Sequence, residues 1–184
     1  MDACRRAREL VKQILTLSRQ TRHEHSQVQI HLIIKEALKL LRASLPSTIE
    51  ILHEIRADSS YVMADPTQIH QIVMNLCTNA AHAMADAGGV IDISLDAVFL
   101  DERQATDYAD LSHGAYLKLS VSDTGSGIAP ECIPRIFEPF FTTKEAGRGT
   151  GMGLAVVHGI IKSHGGEILV ESKPGKGSTF HVLL

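Results

Sequence analysis

Two asparagines four residues apart, Asn75 and Asn79 in "NLCTNAAHAM", are the first residues in this 184-residue chain with a chemical use. At helical spacing both carboxamides lie on one face, while Ile69, Ile72, Val73 and Leu76 form the opposite, apolar stripe. A carboxamide oxygen is a neutral hard ligand that suits Mg2+, an ion that keeps several waters and draws its charge compensation from substrate phosphates. The same pair also reads as ordinary polar helix surface. Further along, "AGRGTGMGLAVVHG" runs Gly147, Gly149, Gly151 and Gly153 straight into a helical stretch, whose free N–H groups attract anions. Phosphate binding is the expectation, although GxxxxGK[ST] is absent and the GxGxxG register ends on Leu154. A glycine-hinged loop without a ligand is the alternative.

Two further segments extend this chemistry. In "VSDTGSGIAP", Asp123 closes an apolar run, and its carboxylate can accept a hydrogen bond from an exocyclic amine. Adenine presents such an amine, whereas guanine presents an oxygen. Gly125 and Gly127 would let the backbone approach a flat ring, and a simple turn in which Asp123 caps its own loop is the other reading. In "FEPFFTTK", the spacing suggests that Phe137, Phe140 and Phe141 pack as core or lid, with Thr142, Thr143 and Lys144 toward an anion.

Helices and strands must position these groups. "DPTQIHQIVMNLCTNAAHAM" is a helix with Asp65 as N-cap and Pro66 in the first helical position. "AGGVIDISLDAVFL" and "AYLKLSVSD" read as strands, the second ending at Asp123. The segment from Pro130 to Arg148 reads as short helix and loop, and a helix follows from about Gly153 to Ser163. "GGEILVES" and "TFHVLL" close a hairpin through "KPGKGS". Towards the N-terminus, Val28 and Ile30 alternate as a short strand before a helix from about His31 to Ala43, followed by strands "IEILHEI" and "YVMAD". The first segment sets Ala3, Ala7, Leu10, Ile14 and Leu17 in heptad steps, which fits either an amphipathic helix packed on its own domain or one that pairs with other helices. A boundary falls after residue 22, and residues 23–184 should form a two-layer α/β sandwich, a mixed sheet with helices on one face.

Composition narrows the classes. The chain is 44% hydrophobic and 21% charged with a formal net charge of -3, which argues against nucleic-acid or membrane-surface binding. Three separated cysteines, Cys4, Cys77 and Cys132, exclude a CxxC zinc pair and a disulfide framework and suggest a reducing, cytoplasmic setting. No apolar run approaches the roughly 20 residues of a membrane helix. His23, His25 and His31 lack the spacing of a zinc motif.

Taken in order, "NLCTNAAHAM", "DTGSGI", "FEPFFTTK" and "GTGMGL" resemble the N box, first glycine box, F box and second glycine box of bacterial sensor histidine kinases. The resemblance covers about residues 27–184 as the catalytic ATP-binding domain, a Bergerat-fold member of the superfamily that includes gyrase, Hsp90 and MutL. It implies a mostly antiparallel sheet and ATP with Mg2+ as ligands. "RARELVKQILTLSRQ" looks like the end of a second dimerisation helix. By the resemblance Asn79 is the Mg2+ ligand with Asn75 in support, Asp123 reads the adenine amine, and Gly125 and Gly127 lie beside the base. Gly149, Thr150, Gly151, Met152, Gly153 and Leu154 belong to the loop that wraps the triphosphate, and Thr179 supports the adenine end. Lys144 and Arg148 are phosphate contacts, and His82 occupies a place where some members carry a basic phosphate-binding residue.

The ATP-hydrolysing branches carry a glutamate four residues before the magnesium asparagine. Here that position is Asn75, which cannot accept a proton, so the resemblance implies phosphotransfer to a histidine rather than hydrolysis. No HExxNPL-like acceptor stretch is present, and "HEHS" at His23 lacks its sequel. The expected partners are therefore an acceptor histidine upstream on the protein's own dimerisation helices, in a homodimer, and a response-regulator receiver domain. An ATP-hydrolysing clamp and a non-catalytic nucleotide sensor are the rival readings.

Overall fold

A computed structural model of the chain describes residues 26–57, 61–85, 87–106, 108, 111–144 and 150–184. The heptad segment and the boundary after residue 22 lie outside these residues, as do Arg148 and Gly149.

Helix α1 (Ile30–Ser44) forms because Ile30, Ile33, Ile34, Ala37 and Leu41 recur at steps of three and four and are buried together. Ile30 begins this helix instead of extending the preceding strand, β1 (Ser26–Val28), which pairs antiparallel with β3 (Val62–Ala64). The helix stops where Leu45 turns extended ahead of Pro46, and the Leu45 N–H donates back to the Leu41 carbonyl at 2.8 Å.

The main sheet has five strands in the order β2-β4-β5-β7-β6. Strands β2 (Ile49–Ile55) and β4 (Gly89–Leu100) run parallel, joined by a crossover that contains β3 and α2 (Pro66–Ala83). The pairs of β4 with β5 (Gly114–Asp123), β5 with β7 (Gly177–Leu183), and β7 with β6 (Glu167–Lys173) are antiparallel. Side chains alternate across the sheet: Ile91, Ile93, Leu95, Leu117, Leu119 and Val121 are buried, while Ser94, Lys118, Ser120 and Ser122 are on the more open face.

That asymmetry places the helices. α1, α2 and α4 (Gly153–Ser163) share one buried cluster with the apolar face, in which Ile34, Ile72 and Val157 meet Ile93 and Val182. The expected mixed, mostly antiparallel sheet with helices on one face is the architecture observed. A short α3 (Glu102–Ala105), not foreseen from periodicity, is held by a capping box in which Asp101 accepts from Gln104 N–H at 2.7 Å and Gln104 accepts in return. A second small cluster of Leu100, Leu111 and Leu183 has Val98, Tyr108 and Tyr116 packed against it. Cys77 is buried in the main core, where desolvation pushes its thiol up to about 12.

Candidate functional site

The helix that carries the asparagines is capped at its start and packed along one face. The Asp65 side chain accepts from the N–H groups of Thr67 and Gln68, at 2.8 and 3.4 Å, and Pro66 opens the helix. Ile69, Ile72, Val73, Leu76 and Cys77 face the core, which leaves Asn75, Thr78, Asn79 and His82 along a cavity of about 950 Å³.

Asp123 lies at one end of that cavity, only 6% exposed. Its carboxylate accepts from Gly125 N–H at 2.8 Å and also from Ser178 N–H. Burial nevertheless outweighs these two bonds and raises its pKa above the usual carboxylate range. Asp123 thus caps its own turn while it lines the cavity. Ile128, Ile136 and Phe180 supply apolar walls around it.

The glycines of this turn answer first to the protein. A Cβ on Gly125 would sit 2.7 Å from both the Cβ and the carbonyl oxygen of Ala83, so the turn packs directly on the end of α2. Gly125 is not among the lining residues, whereas Gly127 is. Gly125 thus brings the turn against α2 and donates its N–H to the Asp123 carboxylate.

The other end of the cavity is polar. α4 starts at Met152 with no side-chain cap among the described residues, and Gly153 and Leu154 of its first turn line the cavity with Asn75 and Asn79. A Cβ on Gly153 would lie 3.5 Å from Asn75 Oδ1 and 3.6 Å from Asn79 Nδ2. Thr150 accepts from Met152 N–H at 3.3 Å and lines the same region. The "FEPFF" segment is tied to this loop through its backbone: Phe140 N–H donates to Gly151 carbonyl at 3.0 Å, with φ of 68° at Phe140 and 66° at Gly151. Such a φ is unfavourable for a bulky residue and persists because the surroundings impose it. Phe137 stacks on His158 of α4 at 5.2 Å, and Arg135 lies 4.4 Å over the Phe141 ring.

Lys144 then reaches across to α2, with Nζ 3.2 Å from His82 Nδ1. Burial lowers the pKa of both groups, and the charge of Lys144 lowers His82 further, so a neutral imidazole accepts from the ammonium.

Strand register corrects one assignment. Asp123 pairs with Ser178 and Ser122 with Thr179, so alternation puts Ser178 beside Asp123 and turns Thr179 to the opposite face. There Thr179 Oγ1 is 2.9 Å from Ser122 Oγ, while Ser178 is buried and lines the cavity. Met152 is likewise core, 4% exposed, and does not line the cavity. Sequence reading missed Ser178, Thr78 and the apolar wall; of these, only Ser178 had a local signal, in the two-residue period of its strand.

A family profile described as "Histidine kinase-, DNA gyrase B-, and HSP90-like ATPase" matches residues 64–184. The chain belongs to that family. Within this ATPase family its similarities run to sensor kinases. Sensor kinase CckA of Brucella abortus (strain 2308) is 38% identical over 179 residues, covering 97% of this chain and 19% of the relative. Sensor histidine kinase ZraS of Escherichia coli (strain K12) is 36% identical over 181 residues, 97% of this chain and 35% of the relative. The chain therefore spans about a fifth to a third of these curated relatives. Among solved structures, the nucleotide-free catalytic domain of histidine kinase ThkA matches with a TM-score of 0.70 at 28% identity, over 88% of this chain and 95% of that one. ThkA in complex with response regulator protein TrrA matches with a TM-score of 0.74 at 26% identity, over all of this chain and 48% of that one.

The donor set also fits Mg2+ of the kind that arrives with phosphates. Among the described residues lining the cavity, Asp123 is the one carboxylate, and it stands at the apolar end. No group of three His, Cys, Asp or Glu gathers among the described residues. Such a site offers amide oxygen without charge, which matches an ion whose other ligands are phosphate and water.

Proposed function

We propose that the chain binds Mg·ATP and presents the γ-phosphate to an imidazole nitrogen of a histidine on dimerisation helices outside the described residues. One observation carries the reading. The cavity pairs an amine acceptor, Asp123, with an anion-attracting end made by the α4 N-terminus and Lys144, with His82 beside it, and it sets amides, not a carboxylate, at positions 75 and 79. Adenine lies against Asp123 and Ser178 between Ile128, Ile136 and Phe180. The triphosphate extends to Thr150, Gly151, Gly153 and Leu154, and the family resemblance adds Arg148 and Gly149, outside the described residues, as further contacts.

Asn79 would hold the metal with Asn75 beside it. Mg2+, when bound, neutralises charge on the β- and γ-phosphates. The chain contributes orientation and charge: backbone N–H groups and Lys144 fix the phosphates, and the apolar wall excludes water from the base. Transfer forms a nitrogen–phosphorus bond and breaks the bond between the γ-phosphorus and the ADP oxygen, in line. Water lacks a comparable activator, because an amide at position 75 cannot take its proton. The ThkA complex with a response regulator supports a receiver domain as the next acceptor.

The first test is calorimetry with ATP and Mg2+: Asn79→Ala should abolish Mg-dependent affinity, and unchanged affinity sinks the assignment. The second adds a dimerisation segment that bears an acceptor histidine, with radiolabelled ATP. Acid-labile label on that segment supports the kinase. Binding without label points to a nucleotide sensor, and steady ATP turnover by the chain alone points to a clamp.

A further inference from the structure

The contact between Lys144 and His82 links the "FFTTK" segment to α2. Both residues line the cavity with Thr142 and Thr143, as do Gly153 and Leu154 at the start of α4. A lysine on an open surface is protonated and has no base at hand. Here burial lowers the pKa of the ammonium, which eases release of its proton, and a neutral imidazole stands 3.2 Å away to receive it. A lysine nucleophile is activated in these two ways, by a lowered pKa and by an adjacent base.

The same end of the cavity attracts phosphate, so the acyl donor it favours is one that carries a phosphate of its own. We propose that Lys144 is a modification site for small acyl phosphates, acylated at Nζ with His82 Nδ1 as the proton acceptor. The Nζ lone pair adds to the carbonyl carbon, the bond from that carbon to the phosphate oxygen breaks, and inorganic phosphate leaves with the bonding electrons. The Nζ proton passes to His82 and then to water. The product is a neutral amide where an ammonium stood, so acylated chain should bind nucleotide about tenfold more weakly, the loss of one hydrogen bond to a charged group. The proposal rests on the reading of this end of the cavity as a phosphate site.

The test incubates the chain with acetyl phosphate and follows each lysine by peptide mass spectrometry. Lys144 should acylate about tenfold faster than Lys35 and Lys39, which are exposed on α1, a modest share of what a positioned base supplies. His82→Gln keeps a hydrogen-bond acceptor but cannot take a proton, and it should bring Lys144 down to the rate of the α1 lysines. Equal rates in the parent chain, or a rate indifferent to His82→Gln, overturn the proposal. Excess ADP separates the two readings. Fast acylation of Lys144 that ADP does not block leaves the modification site standing and removes nucleotide from this end, whereas nucleotide binding with no preference for Lys144 does the reverse.

Discussion

Asp123 caps a turn and lines the cavity, and its burial costs the fold something. Its folded pKa is raised because desolvation exceeds the help of two backbone N–H groups. The stability owed to its neutral form is therefore present below the unfolded carboxylate value, roughly 4, and is lost as pH rises through the raised folded value. Above that window the ionised group burdens the unliganded chain. Asp123→Asn removes the charge and still accepts from the backbone, but it turns an NH2 group toward the ring amine. At pH 7 the unliganded variant should melt no lower than the parent, with the difference shrinking toward pH 4, while its affinity for adenine nucleotides falls at least about tenfold. A lower melting temperature at pH 7 with affinity retained contradicts this account. Asn75 bears on the reaction in the same residue-level way. Asn75→Glu restores a proton acceptor beside Asn79, and ATP hydrolysis by the chain should rise by about tenfold or more in a phosphate-release assay.

Between elements, two glycines that look alike in sequence have opposite roles. Gly125 is where the β5 turn meets the end of α2, and an added methyl would press on the Ala83 carbonyl at 2.7 Å. Gly125→Ala should cost roughly 1–3 kcal/mol in urea unfolding, whether or not nucleotide is present. Gly153 opens α4 with ordinary contact distances of 3.5 and 3.6 Å to the two asparagines. Gly153→Ala should leave stability unchanged or slightly higher, since alanine favours a helix. The methyl then occupies phosphate space, so calorimetry should show weaker ATP binding. The difference lies in what faces each glycine: backbone in one case, the cavity in the other.

At the scale of the whole molecule, the three long helices and the sheet bury their side chains in one continuous cluster that reaches from Val28 to Val182. The cavity is bounded by α2, the end of β5, the start of β7 and the segment before α4, so a ligand there couples elements that are distant in sequence. Mg·ATP at 100 times its dissociation constant should stabilise the chain by about 2.7 kcal/mol, read as a shift of a single thermal transition. Asn79→Ala should remove the magnesium-dependent part of that shift.

Much of this was legible in sequence because it is local. Helix α2 could be placed from Asp65, Pro66 and its apolar stripe, and the candidate site from Asn75, Asn79, Asp123 and the glycine run, since spacing along one element decides which side chains share a face. The parallel pairing of β2 with β4, the tie between Phe140 and Gly151, and the reach of Lys144 to His82 had no such signal, because each joins segments that only the folded chain brings together. Thr179 marks the divide. By sequence alone the resemblance pointed to Thr179 on the closing strand, and only the β5–β7 register put Ser178 beside Asp123 instead, because neighbouring side chains on a strand must point to opposite faces.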